Sequence, residues 1–293
     1  MDLGRIGVWT FALDQQPAGR AQELAAELES VGYGAVWVPE AVGRDPLVGA
    51  SILLSGTERL VVATGIATIY ARDAMAMNAG WQTLTEAYPD RFLLGLGVSH
   101  RPMIEGLRSA EYLPPLGAMR DYLDAMDAGL YLAAPPTTTP QRVLAALGPK
   151  MLELARERSA GAHPYLVTPE HTARAREILG PDRLLAPDQK VILETDPEVA
   201  RGIAREGLAV YVPGLPNYVN NLRRLGFTDD DLEPPLSDRL VDAVIAWGDI
   251  ETVAARVRAH HDAGADHVAV QVQPIGDIDR VMADYRLLAE ALT

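Results

Sequence analysis

A rhythm limits what this chain can fold into more than any other feature. Short, nearly continuous apolar runs alternate with stretches of helical spacing. Ile6–Thr10 (IGVWT) precedes Gly19–Val31, where Leu24, Ala25 and Leu28 share a helical face and Gly32 stops the run. Ala35–Glu40 (AVWVPE) is a second strand that ends at Pro39, and Pro46–Ser55 a second helix. Leu60–Tyr70 is a third strand carrying Gly65, followed by a helix over Asp73–Tyr88 that Pro89 terminates. Within Arg91–Met103 (RFLLGLGVSHRPM), RFLLGLGV is the fourth strand, apolar as expected of a parallel strand covered on both faces, followed by the polar Ser99, His100 and Arg101, with Pro102 and Met103 closing a turn. The alternation implies right-handed βαβ units and a parallel sheet.

The rhythm continues through a helix at Pro114–Leu132, a strand at Arg142–Leu147 and a helix at Pro149–Ser159. A strand at Ala162–Val167, a helix at Pro169–Leu179, a strand at Gln189–Glu194 and a helix from Pro197 follow. The last pattern is a helix at Asp249–Ala263, an eighth strand at His267–Val272 and a closing helix at Asp277–Leu292. Eight strands with their helices predict an α/β fold of the (β/α)8 TIM-barrel type, built as one domain over residues 1–293. Between about 208 and 247 the pattern loosens around Pro213, Pro216, Pro234 and Pro235 and the acidic stretch TDDDLEPP. This is an insertion between strands seven and eight, either a cover over the barrel mouth or a helical excursion packed outside it.

Composition narrows the partners. Forty acidic residues against 26 basic ones give a net charge of −14, which disfavours nucleic acid, whose binding needs a basic face. The chain has no cysteine, so disulfides and thiolate chemistry are excluded, as suits a cytoplasmic protein. The start MDLGRIGVWTF lacks a signal-peptide pattern and no run approaches a membrane span, so no membrane partner is expected.

In a barrel the chemistry sits at the carboxyl ends of the strands. Glu40, His100 and Arg101 are expected to converge there, with Glu40 or His100 as general acid or base and Arg101 as partner to an anionic group. Gly148, Pro149, Lys150 and Met151 open a helix, whose N-terminus suits phosphate; an ordinary Gly-Pro helix start explains the same residues. Trp9, Met103 and Tyr165 suggest an apolar wall for a small-molecule substrate, and no spacing of His, Asp or Glu predicts a metal site.

Several stretches together, GRIGVWT, GYGAVWVPEAVGR, ATGIATIYARD, RFLLGLGVSHRPM and GPKMLELARERSAGAHPYLVTPEH, resemble the luciferase-like monooxygenase superfamily, and within it the oxidoreductases that use coenzyme F420. The resemblance implies a usually dimeric barrel with a tricyclic ring in its mouth. It implies a non-prolyl cis bond at Gly65–Ile66 behind the ring, Gly97, Val98 and Ser99 as ring neighbours, and a phosphate turn at Gly148, Pro149, Lys150 and Met151. Glu40 stands where relatives commonly carry Asp or His. The activity implied is hydride transfer between the deazaflavin and a small organic substrate. The alternatives are an FMN-dependent monooxygenase served by a partner flavin reductase, and a non-catalytic flavin-binding or deazaflavin-binding barrel.

Overall fold

Alternate residues of each strand are buried on opposite faces, the period-two signature of a sheet covered on both sides. In β1 (Ile6–Trp9) and β2 (Ala35–Val38), Ile6, Val8, Val36 and Val38 join one core cluster, whereas Trp9, Ala35 and Trp37 join another. The same split runs through β3 (Val61–Thr64), β5 (Phe92–Gly97), β6 (Gln141–Leu144) and β11 (Val268–Val272). Shorter strands are β4 (Ala67–Thr68), β7 (Gly161–Ala162), β8 (Leu184–Leu185) and β10 (Ile245–Trp247), and β9 spans Asp188–Ile192. The computed structural model describes residues 1–292.

The helices are α1 (Ala18–Ser30), α2 (Pro46–Ser55), α3 (Ala74–Ala87), α4 (Arg101–Leu107), α5 (Pro115–Asp127), α6 (Pro149–Arg158) and α7 (Pro169–Leu179). Then come α8 (Pro197–Leu208), α9 (Pro216–Arg224), α10 (Asp229–Leu232), α11 (Asp238–Val244), α12 (Ile250–Asp262) and α13 (Ile278–Leu292). Proline occupies the first turn of α2, α4, α5, α6, α7, α8 and α9, where its missing N–H costs nothing. Among the described residues no helix is long and apolar enough to cross a membrane.

Every strand pair is parallel, in the order β10-β9-β11-β1-β2-β3-β5-β6-β7-β8, with β4 also on β5. One end of this path, β8, runs straight into β9, next to last at the other end, since only Ala186 and Pro187 separate them. Ala186 N–H donates to Ala162 O (3.0 Å) and Asp188 N–H to Pro164 O (2.9 Å), while Ala269 N–H donates to Pro187 O (2.9 Å). Residues 184–192 thus bond to the β7 side and the β11 side at once. On the face of Trp9 and Trp37, the two indoles fill the space among Ala35, Ala63, Ala186 and Ala269.

The structure corrects three details of the sequence reading. The third strand is not continuous over Leu60–Tyr70: it stops at Thr64 and resumes at Ala67, around a cis Gly65–Ile66 bond. The sixth strand is reduced to Gly161–Ala162, because Asp188 captures the Leu166 N–H and Leu166 lies at φ 57°. Pro102 and Met103 do not close a turn but begin α4. Residues 208–247 hold α9, α10, α11 and β10, packed with α8 on a core of their own that includes Leu208, Val212, Leu222, Leu240 and Val244.

Candidate functional site

The carboxyl ends of the parallel strands bring most of the expected residues to one side of the sheet. Trp9 ends β1, and its Nε1–H donates to Gly65 O at 3.1 Å, tying the first strand to the Gly65–Ile66 bond. Gly97 ends β5; a Cβ there would meet Ile66 Cδ1 at 2.5 Å, so glycine lets the Ile66 side chain lie flat against the strand. Ile66, Val98, Ser99 and His100 are half-buried and form the exposed strip of this edge. Ser99 holds φ 54°, and its carbonyl accepts from Tyr112 Oη at 3.2 Å. His100 caps α4, with its ring 5.4 Å from that of Tyr218 on α9; burial lowers its pKa, partly offset by a hydrogen bond to Asn217.

Glu40, His100 and Arg101 do not converge as expected. Arg101 is exposed, pairs with Glu105 one turn along α4 at 2.5 Å and stacks over Tyr112. Glu40, only 6% exposed, accepts from Thr68 N–H (2.8 Å) and Arg72 (3.0 Å) and has Arg108 at 3.6 Å. Arg108 lies seven residues beyond Arg101, two helical turns along, which is why a side chain from the same stretch reaches Glu40 while Arg101 does not. Arg72 also pairs with Asp45, the N-cap of α2. Glu40 therefore ties the end of β2 to β4 and α4 through its carboxylate. Met103 is half-buried on α4.

Gly148 is the N-cap of α6, with Pro149 and Lys150 exposed and Met151 packed on the core. A Cβ on Gly148 would meet only the Arg224 Nη2, at 3.6 Å. An open helix N-terminus faced by a guanidinium from the end of α9 is suited to an anion. Arg224 was not foreseen, because its place beside α6 depends on how residues 208–247 fold back.

A second polar group was also missed. Tyr165, expected as apolar wall, bonds through its hydroxyl to Tyr211 Oη (2.9 Å), Gln271 Oε1 (3.0 Å) and Lys190 Nζ. Lys190 also donates to Gln271 and sits 3.7 Å from Asp188. Burial lowers the Lys190 pKa to about 8 and raises that of Asp188 to about 6, each shift opposed by the partner's charge. Asp188 and Lys190, two residues apart in a buried strand and so on the same face, were the available signal. Deeper on this face, His163 stacks on Trp37 (4.2 Å), and Trp37 Nε1–H donates to His267 Nε2 (3.0 Å). Among the described residues no group of three or more His, Cys, Asp or Glu could hold a metal ion.

Residues 3–180 match the family model described as luciferase-like monooxygenase. A Mycobacterium tuberculosis protein, provisionally named a coenzyme F420-dependent oxidoreductase, is 26% identical, over 96% of this chain and 97% of that protein. The coenzyme F420-dependent tetrahydromethanopterin reductase of Methanopyrus kandleri superposes with a TM-score of 0.79 at 16% identity, covering 98% of both chains. The oxygenating constituent of 3,6-diketocamphane monooxygenase from Pseudomonas putida, solved with FMN, superposes at 0.69 and 15% identity, over 98% of this chain and 97% of that one.

Proposed function

This chain belongs to the luciferase-like monooxygenase family, and on that premise we propose that it is a coenzyme F420-dependent oxidoreductase transferring a hydride between the deazaflavin and a small organic substrate. We read residues 184–192 as one strand that closes the sheet into a (β/α)8 barrel. Residues 208–247 are the insertion over its mouth, and 1–293 a single domain. The two-sided bonding of Ala186, Pro187 and Asp188 supports the closure. The contacts of Tyr211 with Tyr165 and of Tyr218 with His100 support the cover.

One observation carries the cofactor assignment: an open helix N-terminus at Gly148, faced by Arg224, lies on the same strand-end side as the half-buried strip of Ile66, Val98 and Ser99. The first suits a phosphodiester tail and the second the face of a flat ring. Gly148, Pro149, Lys150, Met151 and Arg224 would hold the tail, and Gly65, Ile66, Gly97, Val98 and Ser99 the ring. A bound deazaflavin supplies a carbon that gives or takes a hydride. The chain's part is to shield that carbon from water and fix the substrate beside it. Trp9, Tyr165 and Met103 form the substrate wall. His100, whose pKa burial lowers, stands at the mouth as a candidate acid or base, while Glu40 fixes the third strand's tip against α4.

Titrating the purified protein with F420 and with FMN, and following cofactor fluorescence, tests the proposal. Binding of F420 in preference to FMN is expected. Tight FMN binding with none for F420 would favour an FMN monooxygenase fed by a separate reductase, the reading that the camphane relative supports. Binding without turnover across a broad substrate panel would favour a non-catalytic carrier. The proposal extends to a cytoplasmic homodimer; sedimentation at a monomer's mass would end the dimer.

A further inference from the structure

Of the 26 basic side chains only two, Lys150 and Lys190, are lysines. Every other cation in the chain is an arginine. Lys150 is exposed on α6, but Lys190 is 3% exposed, where an always-charged arginine would be the ordinary choice for a permanent ion pair. Lysine differs from arginine in being able to give up its proton.

The surroundings of Lys190 form a chain of exchangeable groups. Its Nζ meets Tyr165 Oη and Gln271 Oε1 and lies 4.1 Å from the centre of the Tyr165 ring. Asp188 sits at 3.7 Å from below, with its Oδ2 buried and otherwise without a hydrogen-bond partner. Tyr211 and Trp9 flank the ammonium at 5.4 and 5.7 Å, and Tyr218 packs against Tyr165. Asp188 is the only side chain among these that carries opposite charge. Tyr165 is half-buried, and its ring is 5.0 Å from that of Trp9, which bonds Gly65. Tyr165 therefore spans the two sites, its hydroxyl on the buried lysine and its ring against the tryptophan that ties the first strand to Gly65.

We propose that Tyr165 is the proton donor to the substrate and that Lys190, a positioning residue beneath it, holds its hydroxyl and renews its proton. This rests on the deazaflavin reading. In the step, the substrate's carbonyl carbon gains a hydride from the reduced deazaflavin, which is oxidised by two electrons. The C=O π pair moves to oxygen, and that oxygen takes the Tyr165 proton. Tyr165 in turn takes a proton from Lys190, and neutral Lys190 regains one from water relayed through the Tyr211 hydroxyl and then the Tyr165 hydroxyl that bonds both. Asp188 keeps the lysine charged between turnovers.

With only two lysines, protein carrying ¹³Cε-lysine gives two resolvable signals, and Lys150→Gln assigns them without a bound cofactor. The Lys190 signal is expected to titrate near the depressed midpoint of about 8, to move lower in Asp188→Asn and to shift in Tyr165→Phe. A Lys190 signal titrating together with that of Lys150 overturns the proposal. Menadione, a quinone that takes up a hydride and a proton, then serves as acceptor with reduced F420. Wild-type turnover is expected to fall above the Lys190 midpoint, and Tyr165→Phe to lose roughly 100-fold while F420 binding holds. Lys190→Arg keeps the charge but not the transferable proton; full rescue by arginine overturns the proposal. Should arginine not fit, the pair Asp188→Asn with Lys190→Met removes both charges, and unchanged menadione turnover in it overturns the proposal as well. Failure of wild-type protein to bind F420 overturns the deazaflavin reading and the hydride donor named here, whereas the lysine titration still decides whether Lys190 is a poised acid.

Discussion

Arg72→Ala would leave Glu40, almost wholly buried, with only the Thr68 N–H and a distant Arg108. Breaking a buried pair by removing one partner costs about 3 kcal/mol; urea unfolding of this variant against wild type measures it, and Glu40→Gln is expected to cost less because it removes the charge that needs a partner. The expectation of Glu40 near the mouth was legible, because it follows a strand that Pro39 ends. Its partners were not, since they come from the next strand and from a helix whose register the residues SHRPM do not reveal. Tyr165 was legible as a wall but not as a bonded hydroxyl. What it bonds to, Lys190 and Gln271, lies on two other strands, and only the order of strands brings them together.

The glycines of β5 divide sharply at the scale of the element. A Cβ on Gly95 would lie 2.0 Å from the Thr64 carbonyl oxygen, which is backbone and cannot yield. Gly95→Ala is expected to cost about 3 kcal/mol or more, read from the denaturant midpoint. A Cβ on Gly97 meets instead the end of the Ile66 side chain, which can turn away. Gly97→Ala should fold, and, because Ile66 moves, should weaken F420 binding by about tenfold in a fluorescence titration. Strands with long apolar runs, such as Phe92–Gly97 and Val268–Val272, were found within a residue or two. The strands that escaped, Leu184–Leu185 and Ile245–Trp247, are too short to show periodicity and exist because neighbouring strands offer them hydrogen bonds.

Across the whole molecule, burial holds four histidines neutral. His163, His171 and His267 are depressed to about 4 and His260 to about 3. Unfolded, each would titrate near 6.5. Below that value the unfolded chain binds more protons than the folded one, so stability is complete above about pH 6.5 and drains away as the pH falls toward 4. Asp188, raised to about 6, works in the opposite sense, as do Asp14 and Asp284, which burial also raises. The urea midpoint is expected to drop steeply between pH 6.5 and 4.5, and His260→Gln, facing Thr172 and Gln189, to flatten part of that fall.

The first strand lies between β2 and β11, and Tyr285 on the final helix donates to Trp9 O (3.1 Å) while accepting at its own carbonyl from Tyr33 Oη (2.8 Å). During synthesis, β1 leaves the ribosome with one of its two neighbours still untranslated. Its free edge must therefore wait, exposed, through most of elongation. Nascent chains halted before residue 268 should be the ones that chaperones hold, and release should coincide with emergence of α13.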